Sequence, residues 1–473
     1  MKTILFELKK YKRIILFSLF ASLFLSAILY FKLGFKNSAI LFVSLNILLI
    51  NIFFIFIDKI KSIIMFIVLL PIYTTVRRLC YFDIFFIKVT FETIYITILF
   101  ISSLRDIFRY IKQQFKIDSS AFNFILYTLM FLIFSFNSSF FSDNILKSMS
   151  EVYIGIFIPL AFYFTFVVYF NKNLKKFIYF ALFIALDFSC LYGFIQIFLR
   201  IIKTGQIKID RVYLTFGFHN VNIFAGILIL IIPLILEFIL FRENNKKEKV
   251  FLISSFMLYT ISIFITFSRG AWLCFIMAVI ISLISKKYSK LLITVSIILI
   301  FISKPLFSFI ITRGTSTSFL QNESAVARLQ SIFTDFEIIK KYPFGIGGGQ
   351  FKYLFKEYAV KGYLSMPESI RFNSTVAHYA LEHAHNLILQ ICVEFGIIAT
   401  ILFLLIIINR LRSSFIDFNF NRGAFTSIIV YLFFSIITGN EFNHKGVITG
   451  TIILYLIFGI IEISIKDTNE GRN

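Results

Sequence analysis

Apolar runs of about 18 residues or more, bounded by charges, recur from one end of the chain to the other. Each is long enough to cross a hydrocarbon layer about 30 Å thick. Backbone polar groups cannot stay unpaired in lipid, so such runs must be helices. The pattern puts candidate spans at about 14–31, 38–57, 62–76, 90–104, 121–137, 152–170, 177–199, 220–241, 250–267, 271–285, 291–303, 385–409, 424–438 and 447–463. Lys9, Lys10, Lys12 and Arg13 precede the first run, Ile14 to Phe31. That run is too long for a signal-peptide core and reads as a retained span. Residues 60–104 hold either two spans or one re-entrant or interfacial piece, so the count is 12 to 14. The expected class is an all-α polytopic membrane protein.

With the N-terminus inside, loops alternate sides. The inside loops become Asp58–Lys61, Arg105–Asp118, Asn171–Lys176, Arg242–Lys249, Lys286–Lys290 and Asn409–Arg422, nearly all rich in Lys or Arg. Cytoplasmic loops collect these residues, so both termini are expected in the cytoplasm. Arg77 and Arg78 fall outside, against the rule. The largest outside segment is about 304–384. Within it Val326, Leu329, Phe333 and Phe336, with Ile339 three further on, have helical spacing and predict an amphipathic helix whose apolar stripe needs a partner, either the membrane surface or the spans below. Asn322 or Ser324 could cap it, and Pro343 lies just past its end. A folded lid over the outer helix ends is expected.

Composition agrees: of 473 residues 59% are hydrophobic and 15% charged, with mean hydropathy +0.88, whereas soluble domains carry about 25% charged residues. The net charge of +22 follows from basic cytoplasmic loops, and no nucleic-acid partner is expected. Cys80, Cys190, Cys274 and Cys392 are far apart, without metal-ligand or redox spacing, and read as small core residues.

Polar chemistry gathers on the outer side. Arg269, in a tight hairpin at Ser268–Gly270, either snorkels to headgroups or serves function, because charge at the hydrocarbon edge is costly. Arg211 and Arg328 are unremarkable singly, but three guanidinium groups converging on one face could hold a diphosphate without a metal. Glu382, His383, His385 and Asn386 crowd into five residues at the mouth of a span. His385 can either move a proton near neutral pH or satisfy the helix start. Glu394, about 13 Å deeper along that helix, is expected to pair with a buried cation such as Arg269 or with hydrogen-bond donors. Asp187 also awaits a partner. Gly345, Gly347, Gly348 and Gly349 follow a helix and lack a Lys-Ser/Thr, so they predict a mobile turn that positions the lid, not a nucleotide loop. No metal and no other cofactor is expected.

"SRGAWL", the Arg328 helix running into "PFGIGGGQF", and "HN" followed by "GII" resemble the O-antigen ligase and polymerase superfamily. The "R…FGFHNVNIFAG" segment, with Arg211 and Asn222, is similar to that family's Arg/Asn segment before a mid-chain span. The resemblance covers about residues 205–402, between N-terminal helices in 1–200 and C-terminal helices in 403–473. Ala399 and Val221 depart from the family's ligase pattern and leave ligase and polymerase both open. The resemblance implies an inverting, metal-independent C-type glycosyltransferase. Its donor would be a glycan on undecaprenyl diphosphate, and its acceptor lipid A-core or a second lipid-linked repeat. It further implies that Arg269 and Arg328 grip the diphosphate and that His385 acts on the acceptor hydroxyl. The rival from another class is a flippase for lipid-linked sugars, which needs polar sites near the bilayer midplane. The one-sided chemistry here favours an enzyme.

Overall fold

The computed structural model describes residues 12–28, 30–76, 82–84, 87–117, 119–206, 216–218, 220–301, 303–304, 323–373, 380–416, 418–438 and 447–470. They are almost wholly helical. The N-terminal half holds α1 (Lys12–Ile28), α2 (Tyr30–Ile57), α3 (Lys59–Val76), α4 (Phe91–Ile117), α5 (Ser119–Ser138), α6 (Ile145–Val152), α7 (Ile158–Tyr169) and α8 (Lys175–Thr204). A short antiparallel hairpin, Phe82–Ile84 with Ile87–Val89, joins α3 to α4. Next come α9 (Val221–Phe241), α10 (Lys246–Ile265), α11 (Arg269–Leu283) and α12 (Ser289–Phe301). The outer segment contributes α13 (Glu323–Lys341), α14 (Phe351–Leu364) and α15 (Glu368–Asn373), and the chain closes with α16 (Leu387–Ile416), α17 (Phe418–Thr438) and α18 (Thr449–Glu470).

Among the described residues nine helices are long and apolar enough to cross a membrane, or ten if the pair Arg269–Leu283 and Lys286–Phe301, bent by 110°, forms one span. Ile15–Ile28 and Thr449–Ile465 are shorter apolar helices. The zone 60–104 holds two helices around a hairpin, of which Lys59–Val76 is long and apolar enough to cross a membrane. Arg77, Arg78 and Cys80 lie outside the described residues.

Cross-helix contacts sort the helix termini into two ends. At one end Lys59 Nζ donates to Ser102 O and Tyr169 OH, both at 2.7 Å, and Lys175 donates to Phe420 O. There too Arg422 donates to Ile284 O at 2.5 Å, and Arg410 meets Glu462. All six lysine- and arginine-rich loops gather at this end. Phe17 packs on Phe53 with ring centroids 5.8 Å apart, and Ser464 receives Lys175 at 3.4 Å, so both ends of the described chain belong here as well. At the opposite end Thr74 Oγ1 lies 2.8 Å from Thr449 Oγ1, and Thr75 Oγ1 donates to Gly217 O at 3.4 Å. Gly270 abuts Thr438 there. The charge pattern along the chain thus becomes a polarity of the bundle.

One span is broken. Gly396 sits at φ 89, ψ 172 inside α16. In a continuous helix Ile397 N–H would bond Val393 O; here it donates to Pro343 O at 2.9 Å. The freed carbonyls of Val393 and Glu394 accept Ile346 N–H at 3.1 Å and Gly347 N–H at 2.9 Å. Irregular backbone at this depth is tolerated because another segment satisfies it. The glycine turn expected to be mobile is therefore stitched into the break by three backbone hydrogen bonds.

Candidate functional site

The histidine turn occupies the outer end of α16. Asn386 starts that helix: its Oδ1 accepts Leu389 N–H at 3.1 Å and its carbonyl accepts Gln390 N–H at 2.8 Å. Capping thus falls to Asn386 and not to His385. His385 is held at φ 55, a left-handed conformation uncommon outside glycine. The rings of His383 and His385 stand 4.2 Å apart at 61°. Both are half-buried, while Ala384 between them is buried in the small apolar core shared by the outer helices and α16.

Over this turn lies α13, tied to it by the Ser331 side chain. Of the expected stripe only Val326 is fully buried; Leu329, Phe333 and Ile339 are half-buried, and Phe336 is 50% exposed. The buried face instead carries Gln330, Ser331, Thr334 and Asp335 beside Val326, Ala327 and Ile338. Gln330 Nε2 donates to Ala359 O at 3.2 Å, and Ser331 Oγ donates to Ala384 O at 3.1 Å. Gly362 of α14 packs directly on Thr334, where a Cβ would come within 2.0 Å of Oγ1. Arg328 is half-buried, three residues before Ser331 and so on the same side of α13. The Ser331–Ala384 bond therefore brings the Arg328 helix and the histidine turn together. Asp335 is fully buried, with Ser331 Oγ 3.4 Å from its Oδ2. Burial pushes its carboxyl well above the usual carboxylate range.

Arg269 is the first residue of α11, and Gly270 is its second; the turn from α10 is Thr266–Ser268, two residues earlier than expected. Trp272 pins that turn through Nε1 to Ile263 O at 3.1 Å, and Phe267 takes φ 50. Arg269 stands beside the outer end of α17, where a Cβ on Gly270 would come 3.0 Å from Thr438. Asn222 opens α9, its N–H donating to the capping Asn220 Oδ1 at 2.7 Å. Arg211, His219, His378 and His444 lie outside the described residues, as does Asn322. Glu394 is buried and accepts Gly349 N–H at 2.9 Å, so the glycine turn supplies a donor to it. Asp187 has its partner in Ser255, at 2.7 Å. Among the described residues no three His, Cys, Asp or Glu side chains come together as metal ligands.

Reading from the sequence missed Ser331, Asp335 and Gln390. Gln330, Ser331, Thr334 and Asp335 form a polar stripe at helical spacing, a signal the adjacent apolar stripe outweighed. Gln390 carried no signal: it is one polar residue in an apolar run.

The fold and site define a multi-pass α-helical membrane protein whose histidine turn lies beneath a helical lid, at the end opposite its basic loops. The sequence profile of the family described as O-antigen ligase matches residues 252–404, from α10 through the break in α16. Two relatives carry the description "Putative polysaccharide ligase". One, from Rickettsia conorii, is 25% identical over 355 residues, covering 72% of this chain and 81% of the relative. The other, from Rickettsia felis, is 26% identical over 269 residues, covering 54% and 62%. Over residues 252–404 the chain is thus similar to the domain of the O-antigen ligase superfamily.

Proposed function

We propose that the protein is a glycosyltransferase of the bacterial inner membrane, an O-antigen ligase, with the basic end of the bundle and both termini in the cytoplasm. It takes a glycan from undecaprenyl diphosphate and joins it to an acceptor hydroxyl, that of lipid A-core, on the extracytoplasmic face. The observation that carries this reading is the Ser331–Ala384 contact, which sets the Arg328 helix against the His383–Asn386 turn at the end away from the basic loops.

In this mechanism the His385 imidazole accepts the proton of the acceptor hydroxyl. The oxygen attacks the anomeric carbon from the side opposite the diphosphate, whose bond breaks, and the configuration inverts. Arg269, Arg328 and Arg211 hold the diphosphate as it gains charge, a task that needs no metal. Arg269 supports this assignment, because a cation in the first turn of a helix opposes the macrodipole by about 0.3–1 kcal/mol, and an anionic ligand reverses that cost. Asn386, Asn222, His383 and Glu394 support the site. A polymerase would differ only in its acceptor, a second lipid-linked repeat.

Purified enzyme offered lipid-diphosphate glycan with both acceptors distinguishes the two, since only one product grows. Arg269→Ala, Arg328→Ala and His385→Ala should each lower transfer by about 10²-fold or more with normal membrane insertion, and chelators should change nothing. Full activity in all three variants would overturn the site assignment. Glycan movement across vesicles without joining would make the protein a flippase.

A further inference from the structure

Ala384, between the two histidines, has both backbone polar groups taken by side chains from different elements. Its N–H donates to Gln390 Oε1 of α16 at 2.7 Å, and its carbonyl accepts Ser331 Oγ of the lid helix at 3.1 Å. Ala384 is 1% exposed, and Ser331 and Gln390 are buried. The next residue, His385, holds φ 55, a conformation that a non-glycine residue keeps only when its surroundings over-determine it. We infer that Ser331 and Gln390 are positioning residues: together they clamp the His-Ala-His turn and fix the direction of both imidazoles.

Behind Ser331 stands Asp335. A hydroxyl has one proton, and Ser331 directs it to the Ala384 carbonyl, which is nearer than Asp335 Oδ2, 3.1 Å against 3.4 Å. A hydrogen bond between Asp335 and Ser331 then needs the proton to come from Asp335. The carboxyl is buried, and burial favours its neutral form. The chain runs from Asp335 O–H to Ser331 O–H to the Ala384 carbonyl. Because one arm of the clamp belongs to the lid and the other to a membrane span, the imidazoles take their places only when the lid is docked.

The test uses the full-length protein in nanodiscs. Carbethoxylation of His383 and His385 by diethyl pyrocarbonate is followed peptide by peptide, beside steady-state glycan transfer. Ser331→Ala, Gln390→Leu and Asp335→Leu should speed labelling of His385. They should also lower kcat by about a hundredfold, the scale of a misplaced reacting group, with an unchanged KM for the lipid-linked glycan. Ser331→Thr and Asp335→Asn keep a donor at each point and should behave as the wild type on both readouts. Unchanged labelling in Ser331→Ala and Gln390→Leu would overturn the clamp, and faster labelling with unchanged kcat would overturn its positioning role. Equal damage by Asp335→Asn and Asp335→Leu would remove Asp335 from the chain. The kinetic half rests on the glycan-transfer reading; if the wild type transfers nothing, that reading fails while labelling still decides the clamp.

Discussion

Gly345→Ala should undock the lid without unfolding the bundle. Gly345 has φ 89, and a Cβ there would stand 2.5 Å from Glu394 O and 2.7 Å from Gly396 N. Both obstacles are backbone, so neither can swing aside. The backbone conformation alone costs about 1–3 kcal/mol for an L side chain. Relieving the clash means separating the turn from α16, which breaks the bonds of Ile346 N–H, Gly347 N–H and Ile397 N–H. At a net of about 1 kcal/mol each, the total is about 4–6 kcal/mol, borne by the docking of one segment. Gly205 is the control. It also has positive φ, 64°, but nothing lies within 4 Å of its would-be Cβ, so Gly205→Ala pays only the conformational cost of about 1–2 kcal/mol. Hydrogen exchange read by mass spectrometry should show lost protection at 346–347 and 397 in Gly345→Ala and none in Gly205→Ala. Equal protection in the two variants would refute the stitched-break account.

Asp335 makes lid stability depend on pH in a definite direction. The unfolded chain releases this proton near pH 4, whereas the folded lid retains it to higher pH. Stability therefore falls as pH rises above about 4, up to the folded group's own pKa, and Asp335→Asn should flatten that slope when lid proteolysis is measured across pH. Arg410 is fully buried, its guanidinium 3.9 Å from the Phe124 ring centroid and 2.5 Å from Glu462. Arg410→Met or Glu462→Leu alone should cost about 3–5 kcal/mol, and the double variant less than the sum; additive losses in detergent melting would contradict the pairing. At the outer surface Lys147, 3.2 Å from the Tyr353 hydroxyl, holds that phenol below its usual range together with Lys352. Lys147→Ala should raise the Tyr353 titration midpoint, read as phenolate absorbance, with little change in melting.

The sequence by itself determined the class, most of the spans and the separation of basic loops from polar chemistry. Each follows from a local quantity, either apolar length against bilayer thickness or the charge of a single loop. It also marked Arg328, His383, His385 and Asn386 as one neighbourhood in prospect. The tertiary structure decided which face of α13 is buried: amphipathic spacing locates stripes, but burial depends on what the partner satisfies, and the partner here satisfies Gln330 and Ser331. It decided the fate of Gly345 and Gly396 too, because Gly345 abuts the backbone of Glu394–Gly396 and Gly396 abuts the backbone of Phe344, some fifty residues away. The Ser331–Ala384 and Gly349–Glu394 bonds join residues 53 and 45 positions apart. Contacts at that separation leave no periodic trace in a chain, since periodicity records the geometry of one element and not the meeting of two.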